Sequence, residues 1–314
     1  MAAQNFETMM SQTIKNSIAN FSNWVPLNLL MTGQDFPPFL PFYHVVSDEI
    51  LDYINSYAAR NTQQFEKELD YLLKIYEPVD LKTIITTQSK KQMHLTFDDG
   101  LVECSTLIAP VLKRKGIPAT FFINTDFIDN KALFHRFKRS ILETKGVIEK
   151  GKRKYLHHEV SELDMLAAEN NIDFSTYKPY LQKYQINKLQ SDGFSIGAHS
   201  LNHPEMWTLN EDDQFSQVAQ SMQWVAENFQ PEIKAFSFPF TDDGIKASLF
   251  EKLHYNNIVD VTFGTAGLKH DQIANHFQRI PIERTTDWSI KKTVHFEYFY
   301  YKLRHLFSAN TVKR

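Results

Sequence analysis

Leu95-Thr96-Phe97-Asp98-Asp99-Gly100 decides how this chain is read. An apolar run ends abruptly in two adjacent carboxylates and a glycine. Such a run is a buried strand whose C-terminal end delivers two acids to one point, and the glycine lets the backbone turn sharply. Neighbouring strand residues point to opposite faces, so the two carboxylates have different jobs unless the chain bends between them. About a hundred residues on, a second short apolar strand (194–196) runs into Gly197-Ala198-His199-Ser200-Leu201-Asn202-His203-Pro204. His199 and His203 are four apart, and one turn of helix would put both imidazoles on the same side. Two His and one carboxylate make a three-ligand metal site with a position left for water.

The flanking sequence alternates. Strands are expected at 39–46, 94–97, 119–124, 194–196, 235–240, 259–264 and 279–284. Helices are expected at 65–76, 105–115, 180–193, 213–229 and 247–254. Phe65, Leu69, Leu72, Leu73 and Tyr76 share one helical face, and Gly116 closes the second helix. This alternation implies parallel pairing with right-handed crossovers. With polar residues at successive strand ends, it predicts an α/β fold, a parallel barrel whose site gathers at the C-terminal ends of its strands. His44, near the end of the 39–46 strand, is then a catalytic candidate as well as a packing candidate.

Three stretches fall outside this rhythm. Residues 1–38 read as an N-terminal extension with an amphipathic helix at 9–21. Residues 127–182 read as a helical insertion in the barrel domain (39–287). It is strongly basic, with nine Lys or Arg between Lys131 and Lys154 against Glu143 and Glu149. A solvated insertion is the first reading, and a platform for an anionic sugar, a lipid phosphate or a membrane surface is the second. Residues 288–314 read as an aromatic-basic helix that packs across the barrel end, with membrane contact as the second reading.

Composition narrows the function. A formal net charge of -3 over 314 residues argues against a general nucleic-acid binder. The single cysteine, Cys104, allows no intramolecular disulfide and reads as a packing residue at a helix start. There is no signal-peptide pattern and no run of apolar residues long enough to span a bilayer. The expectation is a cytoplasmic protein, with peripheral contact with the inner membrane as an alternative.

A His, His, Asp site with an open position suits zinc or a similar divalent metal. The metal lowers the pKa of a bound water and polarises a carbonyl oxygen, while the other carboxylate takes a proton from that water. Hydrolysis of an ester or amide is the natural reaction.

At these residues the chain resembles the NodB-type polysaccharide deacetylases, the fourth family of carbohydrate esterases. Thr96-Phe97-Asp98-Asp99-Gly100 matches the family's first motif, and His199-Ser200-Leu201-Asn202-His203 matches the second. Phe238-Pro239-Phe240 resembles the third. The resemblance spans roughly residues 40–285. It implies a distorted parallel (β/α) barrel, Asp98 as general base, and Asp99, His199 and His203 as ligands of a divalent metal, Zn2+ first. It also implies an oxyanion contact from the Phe240 backbone after Pro239. Two departures stand out. The third motif commonly has an Arg two residues before the Pro, where this chain has Ser237. The late Leu-x-His that supplies a general acid has no clear counterpart, and His44 is the best substitute. Arg279, Glu283 and Arg284 are candidates for orienting the base or the substrate.

The implied activity is N-deacetylation of an amino sugar of a bacterial surface polysaccharide or its lipid-linked precursor. The partner is then a carbohydrate. The alternatives are a deformylase of a lipid-linked formamido sugar and an inactive glycan-binding protein of the same fold.

Overall fold

Strand parity determines what this fold places at its centre. In the computed structural model, which describes residues 12–55, 58–151, 155–283 and 288–314, eight short strands form one sheet. They are β1 (Pro41–Tyr43), β2 (Leu95–Phe97), β3 (Ala119–Ile123), β4 (Ser195–Ala198), β5 (Ala235–Ser237), β6 (Val261–Gly264), β7 (His276–Gln278) and β8 (Ile280–Pro281). The order is β7-β6-β5-β4-β3-β2-β1-β8, and every pair is parallel.

β7 and β8 lie at opposite edges of the sheet but are separated in the chain by one residue, Arg279. Its backbone N–H donates to Gly264 O (3.1 Å) on one edge, and the next N–H, of Ile280, donates to Leu40 O (2.8 Å) on the other. The segment 276–281 therefore bridges both edges, and the sheet is nearly closed into a barrel ringed by helices, as the sequence led us to expect. The ladder in this last segment covers Ile280–Pro281 rather than 279–284, and Arg284 lies outside the described residues.

All five residues of β3 are buried, as in parallel strands covered on both faces. Phe121 and Ile123 join the outer layer with Leu69, Leu112 and Ile186 from the surrounding helices. Phe122 turns inward with Leu40, Ala235, Val261, Phe263 and Phe277. Counting by twos along each strand, the inward series continue to His44 from Leu40, to His199 from Gly197 and to Ser237 from Ala235. Thr96 and Asp98 follow the same rule on β2. Each series reaches the C-terminal rim with a polar residue, which is how a barrel assembles a site from distant parts of the chain.

The insertion carries helices His135–Thr144 and Val160–Glu169, joined through Leu142, Leu163 and Ala167. The C-terminal helix, Ile290–His305, packs on Gln12–Ser22, with Trp288, Phe296 and Tyr300 around Ala19.

Behind the rim lies a buried polar knot. Asp242 accepts from Thr265 N–H (3.0 Å) and Gln278 Nε2 (2.7 Å) and sits 3.0 Å from His276 Nε2. Asp242, Asp271 and His276 have donor atoms close enough for a metal, but the Arg314 guanidinium already lies among them, paired with both carboxylates. Burial pushes the Asp242 carboxyl up, yet His276, Arg314 and Gln278 together hold it well below the usual carboxylate range.

Two outcomes follow from this packing. A Cβ at Gly197 would lie 2.5 Å from the Phe122 ring and 2.7 Å from Ala235 O, so Gly197→Ala should lower stability by about 1–3 kcal/mol in denaturant unfolding. A carboxyl depressed in the folded state contributes stability above its unfolded pKa of about 4, and that contribution is lost as the pH falls below it. Asp242→Asn should therefore be less stable than wild type at neutral pH and show a shallower loss of stability on acidification.

Candidate active site

Asp98 follows β2 at an inward position and rests on Arg279. Nη1 donates to Oδ1 (2.8 Å) and Nη2 to Oδ2 (2.7 Å), a bidentate pair with both side chains buried. The remaining guanidinium protons go to Thr96 Oγ1 (2.8 Å), Ser237 Oγ (2.5 Å) and Gly264 O (3.3 Å). The ring of Phe42 lies 4.4 Å from the guanidinium carbon, and the ring of Phe122 5.5 Å. Burial pushes the Asp98 carboxyl up, but Arg279, with His199 and His44 nearby, holds it below its usual value. Asp98 is thus ionised and fixed in one orientation. Ser237 stands where the family places its arginine, and here the guanidinium arrives from the segment that closes the barrel.

The chain does bend between the two carboxylates. Asp99 adopts φ 70°, a left-handed conformation unusual outside glycine, and Gly100 follows at φ 65°. This turn brings both acids toward the same imidazole. His199 Nε2 lies 3.9 Å from Asp98 Oδ2 and 3.7 Å from Asp99 Oδ1, and His203 Nε2 lies 3.3 Å from Asp99 Oδ1. Ligands at 2.0–2.1 Å from a tetrahedral metal stand about 3.3 Å apart, so the donor set Asp99, His199, His203 fits a divalent cation in type and spacing. His199 Nδ1 lies 2.8 Å from Ser237 O, an acceptor only, so Nδ1 carries the proton and Nε2 keeps its lone pair. Burial pushes His199 down to about 4, which keeps the ring neutral at physiological pH.

The two histidines do not lie on a helical turn. They flank a tight loop in which Ser200 has φ 74° and His203 φ 57°, and Ser200 Oγ accepts from His203 N–H (3.0 Å). Pro204 disfavours the right-handed helical region at the residue before it, which the four-residue spacing alone did not reveal. His203 is then gripped between two rings, Phe134 at 4.4 Å and Phe240 at 4.5 Å.

His44 lines the same cleft as Asp98, His199 and His203. Glu283 fixes it. Oε2 accepts from His44 N–H (2.8 Å) and lies 2.6 Å from Nδ1, and Oε1 accepts from Val45 N–H (3.0 Å). Burial pulls the imidazole down, but Glu283, with Asp99 and Asp98 nearby, makes the net shift upward. Phe240, at φ 57°, lines the opposite wall after Pro239.

The structure thus lines one cleft with Asp98, His199, His203, His44 and Phe240, and Asp99 meets it through the two imidazoles. Arg279 and Glu283 do not line it: they sit behind Asp98 and His44 and orient them. Cys104 is a core residue whose thiol is pushed up by burial. Sequence reasoning missed Phe134 and Arg136, which reach the site from the insertion. Arg136 lines the cleft with its guanidinium carbon 5.2 Å from the Phe240 ring. Their only signal was position, just after an aromatic-rich strand end. Other basic residues of the insertion are engaged elsewhere: Lys138 with Asp164, Arg139 with Glu143 and Lys145 with Asp52.

With this geometry in view, comparisons with known proteins give the class. The family model for polysaccharide deacetylases matches residues 86–256, and the chain belongs to that family, with the barrel of its NodB-type members. Among solved structures, the deacetylase PplD of Streptococcus pyogenes, in complex with acetate, superposes with a TM-score of 0.57 at 14% identity, covering 84% of this chain and 99% of that one. IcaB from Ammonifex degensii gives 0.56 at 16%, covering 84% and 98%. A de-N-acetylase from Aggregatibacter actinomycetemcomitans gives 0.53 at 14%, covering 82% and 98%. No curated protein matches the chain.

Arg279→Ala would leave a buried carboxylate without its partner, so it should cost about 3–5 kcal/mol in denaturant unfolding. In the folded fraction it should lower turnover while metal content, read by elemental analysis, stays at the wild-type level.

Proposed function

We propose that this chain is a metal-dependent hydrolase that removes an N-acetyl group from an amino sugar of a bacterial surface polysaccharide or its lipid-linked precursor. One observation carries the reading: an oriented carboxylate, a three-donor metal set and an oriented imidazole meet at one cleft, drawn from the ends of β1, β2 and β4. A divalent cation held by Asp99, His199 and His203, zinc first by its donors, would supply Lewis acidity and a water of lowered pKa. Asp98 takes the proton of the attacking water. Arg279 keeps that carboxylate ionised and aimed. The amide C–N bond breaks, acetate forms, and His44 delivers a proton to the leaving amine while Glu283 holds its Nδ1. The backbone N–H of Phe240, on the loop that Pro239 stiffens, is the candidate donor to the developing oxyanion. The acetate complex of the Streptococcus pyogenes structure supports acetate as the product.

The test joins metal analysis to product release. Wild type prepared without a metal-binding tag should retain near-stoichiometric divalent metal, and His199→Ala should lose it. Asp98→Asn should keep the metal but lower acetate release from N-acetylated oligosaccharides by about 10²- to 10⁴-fold. Formate released from a formamido sugar, with no acetate from the N-acetyl substrates, would move the assignment to the deformylase. No metal after zinc loading and no release of either acid would leave only a glycan-binding role.

A further inference from the structure

The described N-terminal helix, Gln12–Ser22, covers its apolar face only in part. Ile18 and Ala19 face the C-terminal helix. Phe21 is 61% exposed at the edge of this contact, and Trp24, three residues on, is 88% exposed. Leu29 (56%) and Leu306 (74%) extend the same surface. Two contacts show that it is continuous across the two segments: the rings of Phe21 and Phe299 lie 5.5 Å apart, and Lys302 Nζ donates to Leu29 O (2.9 Å). Exposed large apolar side chains grouped in this way mark an interaction site.

The charge around the patch identifies the partner. Residues 12–34 contain one charged residue, Lys15. Residues 288–308 contain Lys291, Lys292 and Lys302 against a single acid, Glu297, while Arg304 is buried and donates to Leu268 O. Glu297 is 1% exposed and turned inward, accepting from Leu268 N–H at 2.8 Å. Lys90 adds another cation, with Nζ 3.4 Å from Met31 O. The surface therefore offers an aromatic and aliphatic centre, a lysine rim and no exposed carboxylate from either segment. No helix among the described residues is long and apolar enough to cross a membrane.

We propose that this face, built by residues 12–34 and the outer side of the C-terminal helix, docks the protein on a bilayer surface containing anionic lipid. Phe21, Trp24, Leu29 and Leu306 enter the headgroup region and the lysines meet the lipid phosphates. This inference does not depend on the catalytic reading, because no residue of the patch lines the cleft.

The experiment is co-sedimentation of the full chain with vesicles of pure phosphatidylcholine and of phosphatidylcholine mixed with phosphatidylglycerol. Wild type should bind the mixed vesicles, lose binding as salt is raised and bind the neutral ones poorly. Phe21→Ser/Trp24→Ser should weaken binding by at least about tenfold, and Lys302→Gln by about fivefold. Near-UV circular dichroism verifies that the variants fold, and the single change Trp24→Ser, at a side chain that is almost wholly exposed, serves if the double one does not. Absence of binding at low salt, equal binding to both vesicle types, or unchanged binding by a folded Trp24→Ser variant would overturn the proposal. So would a wild-type dimer that Trp24→Ser converts to monomer, since the face would then belong to a second copy of the chain.

Discussion

The bidentate pair between Arg279 and Asp98 joins closure of the barrel to the orientation of a carboxylate in the cleft. Arg279 is the residue at which the chain passes from one edge of the sheet to the other, and its backbone and that of Ile280 hold the two edges together. Its side chain runs through the barrel interior among Phe42, Phe122 and Phe263 and reaches up to Asp98. Desolvating two charges is expensive, and a hydrophobic replacement of similar volume can match or exceed such a pair in stability. The pair is therefore better understood through geometry than through stability. The Asp98 carboxylate is held in one orientation by two parallel hydrogen bonds, and the groups that hold it are part of the seam that completes the fold.

Around that pair the backbone is bent at unusual points. Asp99, Ser200, His203 and Phe240 all have positive φ, each just after a strand has delivered its inward side chain to the rim. Such conformations cost of order 1–3 kcal/mol and persist only where the surroundings impose them. Here the surroundings are identifiable. Gly100 continues the turn after Asp99, Asn124 donates its side-chain amide to His199 O, Ser200 Oγ accepts from His203 N–H, and Phe134 packs on the His203 ring. The insertion thus contributes to the site through a ring packed on a candidate ligand, while its Lys138, Arg139 and Lys145 pair with acids elsewhere.

How much of this could be read from the sequence depended on how local the cause was. The strand ends were legible because an apolar run that stops at acids or at histidine has few other uses, and strand parity then fixes which residue turns inward. His44 was legible for the same reason. The histidine loop was misjudged because spacing by four was given a helical meaning, although Pro204 opposed it. The roles of Arg279 and Glu283 were only half visible. Both are long-range partners, and nothing in Arg279-Ile280-Pro281-Ile282-Glu283 states that one side chain meets residue 98 and the other residue 44. Phe134 and Arg136 were invisible for the same reason, since a ring or a cation at the start of an amphipathic helix has many possible neighbours.

Ser237 shows how such long-range partners substitute for one another. At the position where related sequences commonly place an arginine, this chain has a small hydroxyl, and in isolation that looks like a lost function. In the folded protein the Ser237 hydroxyl accepts from the Arg279 guanidinium, and its carbonyl accepts from His199 Nδ1. Room beneath Asp98 is set by Thr96, Ser237 and the rings of Phe42 and Phe122, and one guanidinium fills it. A small residue at 237 and an arginine at 279 are two halves of one arrangement. A cation under the buried Asp98 carboxylate offsets its desolvation, and in this chain it comes from Arg279 through the space that Ser237 leaves.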